Sequence, residues 1–168
     1  EMSRGLGDVY KRQILNQITA SHIDPDKALL MYDIVIAVDT NTINDTSVTA
    51  IAQMCFTGET NGVIDVNCKV WDNTEVPKAE VHAWAVVINA VYSQLQNKKQ
   101  NKTVAIVVDS ELGALQQYNK REKPLVQGFY LPPGFTLVYA SADTGMEFIA
   151  NQLIRICDKC ASEVLKNR

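Results

Sequence analysis

The sequence predicts an α/β protein whose elements follow the order β β β α β α β α. Short β-branched runs alternate with longer stretches whose apolar residues have helical spacing. The first three β-type runs follow one another across short polar turns, which is typical of an antiparallel meander. The 168 residues carry a formal net charge of −3 and are 46% hydrophobic, so we expect one soluble globular domain without a basic nucleic-acid patch.

The strands are predicted from their composition. Residues 32–39 form an apolar run that ends in Asp39, and two more β-rich runs follow at 48–56 and 63–71. Residues 102–109 are apolar and β-branched almost throughout, as expected of a central strand buried on both faces. This run also ends in an acidic residue, Asp109, and a last strand is predicted at 135–140.

Three helices are predicted between and after these strands. Pro77 opens the first, over 77–96, and 112–119 reads as a short second helix. Thr144-Gly-Met-Glu147 has the form of a capping box, so the last helix is expected to start there and to run to about Leu165. Between the second helix and the last strand, three prolines indicate an irregular loop.

Glu80 lies in the apolar stripe of the first predicted helix. At 100° per residue it shares this stripe, about 100° wide, with Trp84, Val87, Ile88, Val91 and Leu95. A carboxylate that faces the core requires a cation or strong hydrogen-bond donors. Alternatively, Glu80 reaches water at the end of the helix.

Asp39, Glu80 and Asp109 converge if the first and fourth strands are neighbours in the sheet. Carboxylates that converge repel one another, and they are stable as anions when hard divalent cations such as Mg²⁺ or Mn²⁺ lie between them. Two such ions, about 3.5 to 4 Å apart, activate a water and stabilise the leaving oxygen in phosphodiester hydrolysis.

Four segments of the chain resemble motifs of the ribonuclease H family, specifically its small stand-alone type 1 enzymes. They occur in the family's order at 32–39 (Tyr-Asp-Ile-Val-Ile-Ala-Val-Asp), 79–83 (Ala-Glu-Val-His-Ala), 104–110 (Val-Ala-Ile-Val-Val-Asp-Ser) and 157–161 (Cys-Asp-Lys-Cys-Ala). The resemblance implies a mixed five-stranded sheet, with its first three strands antiparallel and with helices on both faces. It also implies an endonuclease that cleaves the RNA strand of RNA–DNA hybrids with two Mg²⁺ or Mn²⁺ ions.

By this resemblance, Asp39 and Asp109 bind the two ions, Glu80 completes one site and a fourth carboxylate completes the other. The local motif favours Asp158 as the fourth ligand. A helix that starts near Gly145 would, however, place Asp158 about 20 Å along its axis. Distance from the last strand favours Asp143, or the side chain of Asn151. We predict Asp158 and keep Asp143 as the alternative.

Substrate contacts are expected beside the carboxylates and in the loop after the second helix. The residues concerned are Thr40, Asn41, Ser110, Lys120 and Arg121. The two basic residues are expected to meet phosphates. Because the net charge is negative, the affinity for nucleic acid is expected to be modest.

Two alternative functions follow from other features. The run Asp39-Thr40-Asn41 resembles the opening of PIN-like ribonucleases, a fold that would require a helix after Asn41. A ribonuclease H-like module with weakened metal binding is the other alternative. It is suggested by three departures from the family pattern: Thr40 in place of Gly, Val-Pro-Lys at 76–78 in place of a polar turn, and Asp-Thr-Gly at 143–145 in place of a mobile histidine.

The N-terminal residues differ in character from the rest. Residues 3–13 resemble the translated end of a transposon adapter used in sequencing libraries, so we interpret 1–13 as a non-native leader on a fragment from a microbial or viral metagenomic source. We expect 14–30 to be an N-terminal extension and 31–168 to be the ribonuclease H-like domain.

The four cysteines are too few to indicate a secreted disulfide framework. Cys157 and Cys160 form a CxxC inside a helical segment without a second such pair, which favours core packing over zinc. We expect a reduced, cytoplasmic, monomeric protein that binds nucleic acid, without a membrane span.

Overall fold

The computed structural model describes residues 31–55, 63–71, 80–110 and 112–167. These residues form five strands and three helices in the predicted order. They are β1 (Ile34–Ile43), β2 (Thr46–Cys55), β3 (Val63–Trp71), α1 (Glu80–Asn97), β4 (Val104–Val108), α2 (Leu112–Asn119), β5 (Phe135–Tyr139) and α3 (Ile149–Lys166).

The five strands form one mixed sheet in the order β3-β2-β1-β4-β5. β2 is antiparallel to both β1 and β3, whereas β4 is parallel to β1 and to β5. Antiparallel neighbours connect through short turns, while parallel neighbours need a crossover. α1 lies in the crossover from β3 to β4, and α2 lies in the crossover from β4 to β5.

Helices cover both faces of the sheet, because alternate residues of each strand point to opposite sides. In β1, Val35 and Ala37 pack with α3, whereas Ile36 and Val38 pack with α1 and α2. All five residues of β4 are buried, as predicted for a central strand. The predicted α/β fold, with three antiparallel strands in a mixed five-stranded sheet, is confirmed.

Several element boundaries differ from prediction. β1 continues four residues beyond Asp39, because β2 pairs with it along its full length. Since the chain after Asn41 remains in this strand, the helix that a PIN-like fold requires at this point is not formed. Glu80 is the first described residue of α1, and the predicted start at Pro77 lies outside the described residues, as do 1–13 and 14–30.

The last helix begins at Ile149, and the predicted capping box at 144–147 does not form. The backbone of Gly145 has φ +72°, a left-handed conformation that interrupts a helix. The amide of Asn151 donates to the carbonyls of Ser141 and Thr144, at 3.1 and 2.9 Å. These bonds hold the residues before the helix as a loop.

No helix in the described part of the chain combines the length and apolar character needed to cross a membrane.

Candidate active site

Asp39 is the most buried of the predicted site carboxylates, with only 6% of its surface exposed. Its position in β1 gives it the same orientation as Val35 and Ala37, toward α3. Burial, followed by the charges of Asp158, Glu80 and Asp109, raises the pKa of Asp39 to about 8. A hydrogen bond from the backbone of Thr40 opposes this shift. Three carboxylates from other elements or their ends therefore act on Asp39.

Asp109 comes directly after β4, and Glu80 is the first described residue of α1. Ala37 pairs with Val107 in the parallel β1–β4 register, so continuing that register by two residues places Asp109 beside Asp39. Glu80 is half-buried, and its pKa is raised by burial first and by Asp109 second. From the sequence we expected a cation or strong hydrogen-bond donors beside Glu80. The structure places another negative charge, Asp109, beside it instead.

Asp158 reaches the cluster from α3. It is nine residues into the helix, about 13 Å along the axis, because α3 starts later than predicted. The amide of Asn41 donates to Asp158 Oδ1 and to its backbone carbonyl, both at 3.2 Å, and to Ser162 Oγ at 3.0 Å. Asn41 thereby ties α3 to β1 beside Asp39.

The alternative fourth ligand, Asp143, is exposed and is not among the carboxylates that raise the pKa of Asp39. Its backbone N–H donates to Ser141 Oγ at 3.1 Å. Asn151 is engaged with carbonyls of the same loop. The structure therefore brings Asp158, rather than Asp143, to Asp39.

The predicted substrate contacts have different surroundings. Thr40 Oγ1 lies 2.9 Å from Thr49 Oγ1, and Ser110 is half-buried next to Asp109. Lys120 is exposed, as a phosphate contact would be. The contact between Asn41 and Asp158 was not predicted from the sequence. A signal was present, because Asn41 lies two residues after Asp39 and therefore on the same face of the strand as Asp39.

Arg121 is occupied by its own loop. Its guanidinium donates to the carbonyls of Leu131, Asn119 and Pro132, at 3.0, 3.1 and 2.9 Å. Three such bonds to backbone oxygens stabilise the chain between α2 and β5. This arrangement makes Arg121 a structural residue in the described conformation.

The residues of the cluster fit a divalent cation by their chemistry. Their oxygen donors are those that Mg²⁺ and Mn²⁺ prefer, and the pKa of Asp39 is raised by burial first and by the neighbouring negative charges second. Within the described residues, however, no three His, Cys, Asp or Glu side chains are arranged to hold a metal ion as they stand.

The paired cysteines of 157–160 belong to the core. Cys157 is fully buried, and its thiol donates to the carbonyl of Ala37 at 3.4 Å. Cys160 is also buried, and its Sγ lies 2.9 Å from Sγ of Cys68 on β3.

Comparison with known proteins gives similarity at the level of fold. No protein-family model and no curated protein matches the chain. Among solved structures, the foamy viral protease-reverse transcriptase in complex with dsDNA matches with a TM-score of 0.53 and 15% identity, over 80% of this chain and 95% of that one. The mixed sheet with its flanking helices is therefore a ribonuclease H-like fold.

Two endonuclease V structures are more distant. The catalytic domain of the human enzyme has a TM-score of 0.32 and 14% identity, over 61% of this chain and 46% of that one. The Ciona intestinalis enzyme, in complex with inosine-containing DNA, has a TM-score of 0.41 and 10% identity, over 88% and 93%.

Proposed function

We propose that this protein is a metal-dependent endonuclease that hydrolyses phosphodiester bonds in nucleic acid, with the RNA strand of RNA–DNA hybrids as its substrate. One observation carries the proposal. The buried carboxylate of Asp39 interacts with Glu80, Asp109 and Asp158, within a ribonuclease H-like fold. Divalent cations offset the repulsion between such carboxylates, and bound cations promote phosphodiester hydrolysis.

In the proposed mechanism, Asp39 and Asp109 would help to hold both ions, while Glu80 and Asp158 would each complete one of the two sites. The ions would stabilise negative charge on the phosphate and on the leaving oxygen. Asn41 orients Asp158 through its amide, and the backbone of Thr40 donates to Asp39. Because the pKa of Asp39 is about 8, this carboxyl must release a proton when a cation binds near neutral pH.

The choice of RNA–DNA hybrid rests on the four sequence motifs and their order. The foamy viral structure contains dsDNA, which supports nucleic acid as the partner of this fold. Lys120, exposed after α2, is available for a phosphate, whereas the guanidinium of Arg121 is directed to the protein.

A binding module with weakened metal affinity is the second candidate. It is favoured by the finding that no three potential ligands among the described residues are arranged to hold a metal ion. Such a module would keep the fold and bind nucleic acid without cleaving it.

The test is cleavage of an end-labelled RNA–DNA hybrid by the full chain, beside single-stranded RNA, duplex RNA and duplex DNA. Each reaction is run with Mg²⁺, Mn²⁺ or a chelator. Metal-dependent cleavage of the hybrid alone is expected, and it should be lost in Asp109→Asn but kept in the matched variant Asp143→Asn. Hybrid binding without cleavage under any condition would favour the second candidate, and cleavage that survives Asp109→Asn would refute the metal site.

A further inference from the structure

The thiols of Cys68 and Cys160 face each other across the boundary between the sheet and α3. Their sulfur atoms lie 2.9 Å apart, although the two residues are 92 positions apart in sequence. In β3, Val66, Cys68 and Val70 alternate onto the face that packs against α3. This alternation directs the Cys68 side chain toward the helix.

We propose that Cys68 and Cys160 are a redox modification site, at which a reversible disulfide joins β3 to α3. Among the described strands, β3 is the outermost on its side of the sheet and pairs with β2 alone. Its attachment to α3 therefore depends on side-chain packing, which the disulfide would reinforce covalently. The inference does not depend on the proposed nuclease function.

Exposure decides the order of the chemical steps. Cys68 is half-buried, whereas Cys160 is fully buried, so a low-molecular-weight disulfide such as oxidised glutathione meets Cys68 first. The Cys68 sulfur loses its proton to solvent and attacks one glutathione sulfur, which releases the first glutathione thiolate. The Cys160 sulfur then loses its proton and attacks the Cys68 sulfur of this mixed disulfide, which forms the Cys68–Cys160 bond and releases the second glutathione as a thiolate. Two protein thiols are oxidised, and one glutathione disulfide is reduced to two thiols.

Cys157 is the natural competitor, since it lies one helical turn from Cys160 on the same buried side of α3. Its thiol, however, is directed at the carbonyl of Ala37 in β1. Cys68 therefore has Cys160 as the sulfur at contact distance. The position of Cys160, two residues after Asp158, places the disulfide on the helix that carries a site carboxylate.

The experiment uses the full chain, first reduced and then equilibrated with oxidised and reduced glutathione at several ratios. Acid stops the exchange and denatures the protein, and the free thiols are then counted by their reaction with a maleimide. Peptides are mapped by mass spectrometry without reduction. We expect the loss of two thiols, a peptide pair linked through Cys68 and Cys160, and full reversal by dithiothreitol. A Cys68–Cys157 link, a stable glutathione adduct at Cys68, or no loss of thiols would each overturn the proposal.

Variants provide the control. Cys68→Ser should abolish the loss of two thiols, whereas Cys55→Ser should leave it intact, with circular dichroism used to verify folding of both. The oxidised wild-type protein should also melt higher than the reduced protein by on the order of 10 °C, because the link closes a long loop. If Cys68→Ser does not fold, the peptide map of the wild-type protein decides the question by itself.

Discussion

Replacing Asp39 with Asn should stabilise the protein in the absence of metal, and the gain should grow with pH. The folded protein holds the proton of this carboxyl more tightly than the unfolded chain does, since burial and three neighbouring carboxylates raise its pKa from 3.8 to about 8. As the pH rises between these two values, the unfolded state loses the proton first. Wild-type stability therefore falls over this interval.

The size of the effect follows from the two pKa values, 3.8 and about 8. The shift opposes folding by on the order of 5 kcal/mol at pH 8 and by about 2 kcal/mol at pH 5. The wild-type protein should thus lose about 3 to 4 kcal/mol between pH 5 and pH 8, and Asp39→Asn should lose much less. The pKa of Glu80, raised by burial and by Asp109, acts in the same direction in both proteins.

Urea denaturation of both proteins with a chelator, at pH 5 and pH 8, measures this difference. Asp143→Asn is the matched control, because that carboxylate is exposed and does not act on Asp39. Added Mg²⁺ should stabilise the wild-type protein at pH 8 by about 2.7 kcal/mol at one hundred times its dissociation constant. Equal pH dependence in wild type and Asp39→Asn would refute the argument from burial and charge.

Four further predictions concern single variants of other residues. Asp158→Asn should lower Mg²⁺ affinity by tenfold or more, on the order of 1.4 kcal/mol, as measured by titration calorimetry, while Asp143→Asn should not. Lys120→Ala should reduce the salt dependence of hybrid binding by about one phosphate contact. Arg121→Ala should instead lower the free energy of unfolding by about 1 to 3 kcal/mol, because the guanidinium of Arg121 donates to three loop carbonyls. Gly145→Ala should destabilise the fold by on the order of 1 kcal/mol or more in urea denaturation, since its φ is +72° and an added Cβ would lie 2.9 Å from the amide of Asn151. An unchanged unfolding free energy in either of the last two variants would contradict the corresponding contact.

The existence and order of the elements could be predicted from the sequence, because periodicity and β-branched composition are local properties. The predicted limits of the third strand and of the short helix agree with β3 and α2. The end of β1 could not be predicted in this way. Its last four residues are in the strand because β2 pairs with them. The start of α3 was missed because a local capping pattern competes with the bonds of Asn151, which arise only in the folded loop.

The residues of the candidate site could likewise be predicted only in part from the sequence. Residue type and position sufficed to single out Asp39, Glu80 and Asp109, since acidic residues at strand ends and in an apolar helical stripe stand out in a sequence. Which aspartate joins them depends on how α3 lies against β1, and that position is held by the bonds of Asn41 to Asp158 and Ser162. The facing thiols of Cys68 and Cys160 likewise arise from packing between distant segments. Local sequence thus determined which groups are present, and tertiary structure decided which of them meet, because contacts between distant segments depend on the packing of the whole domain.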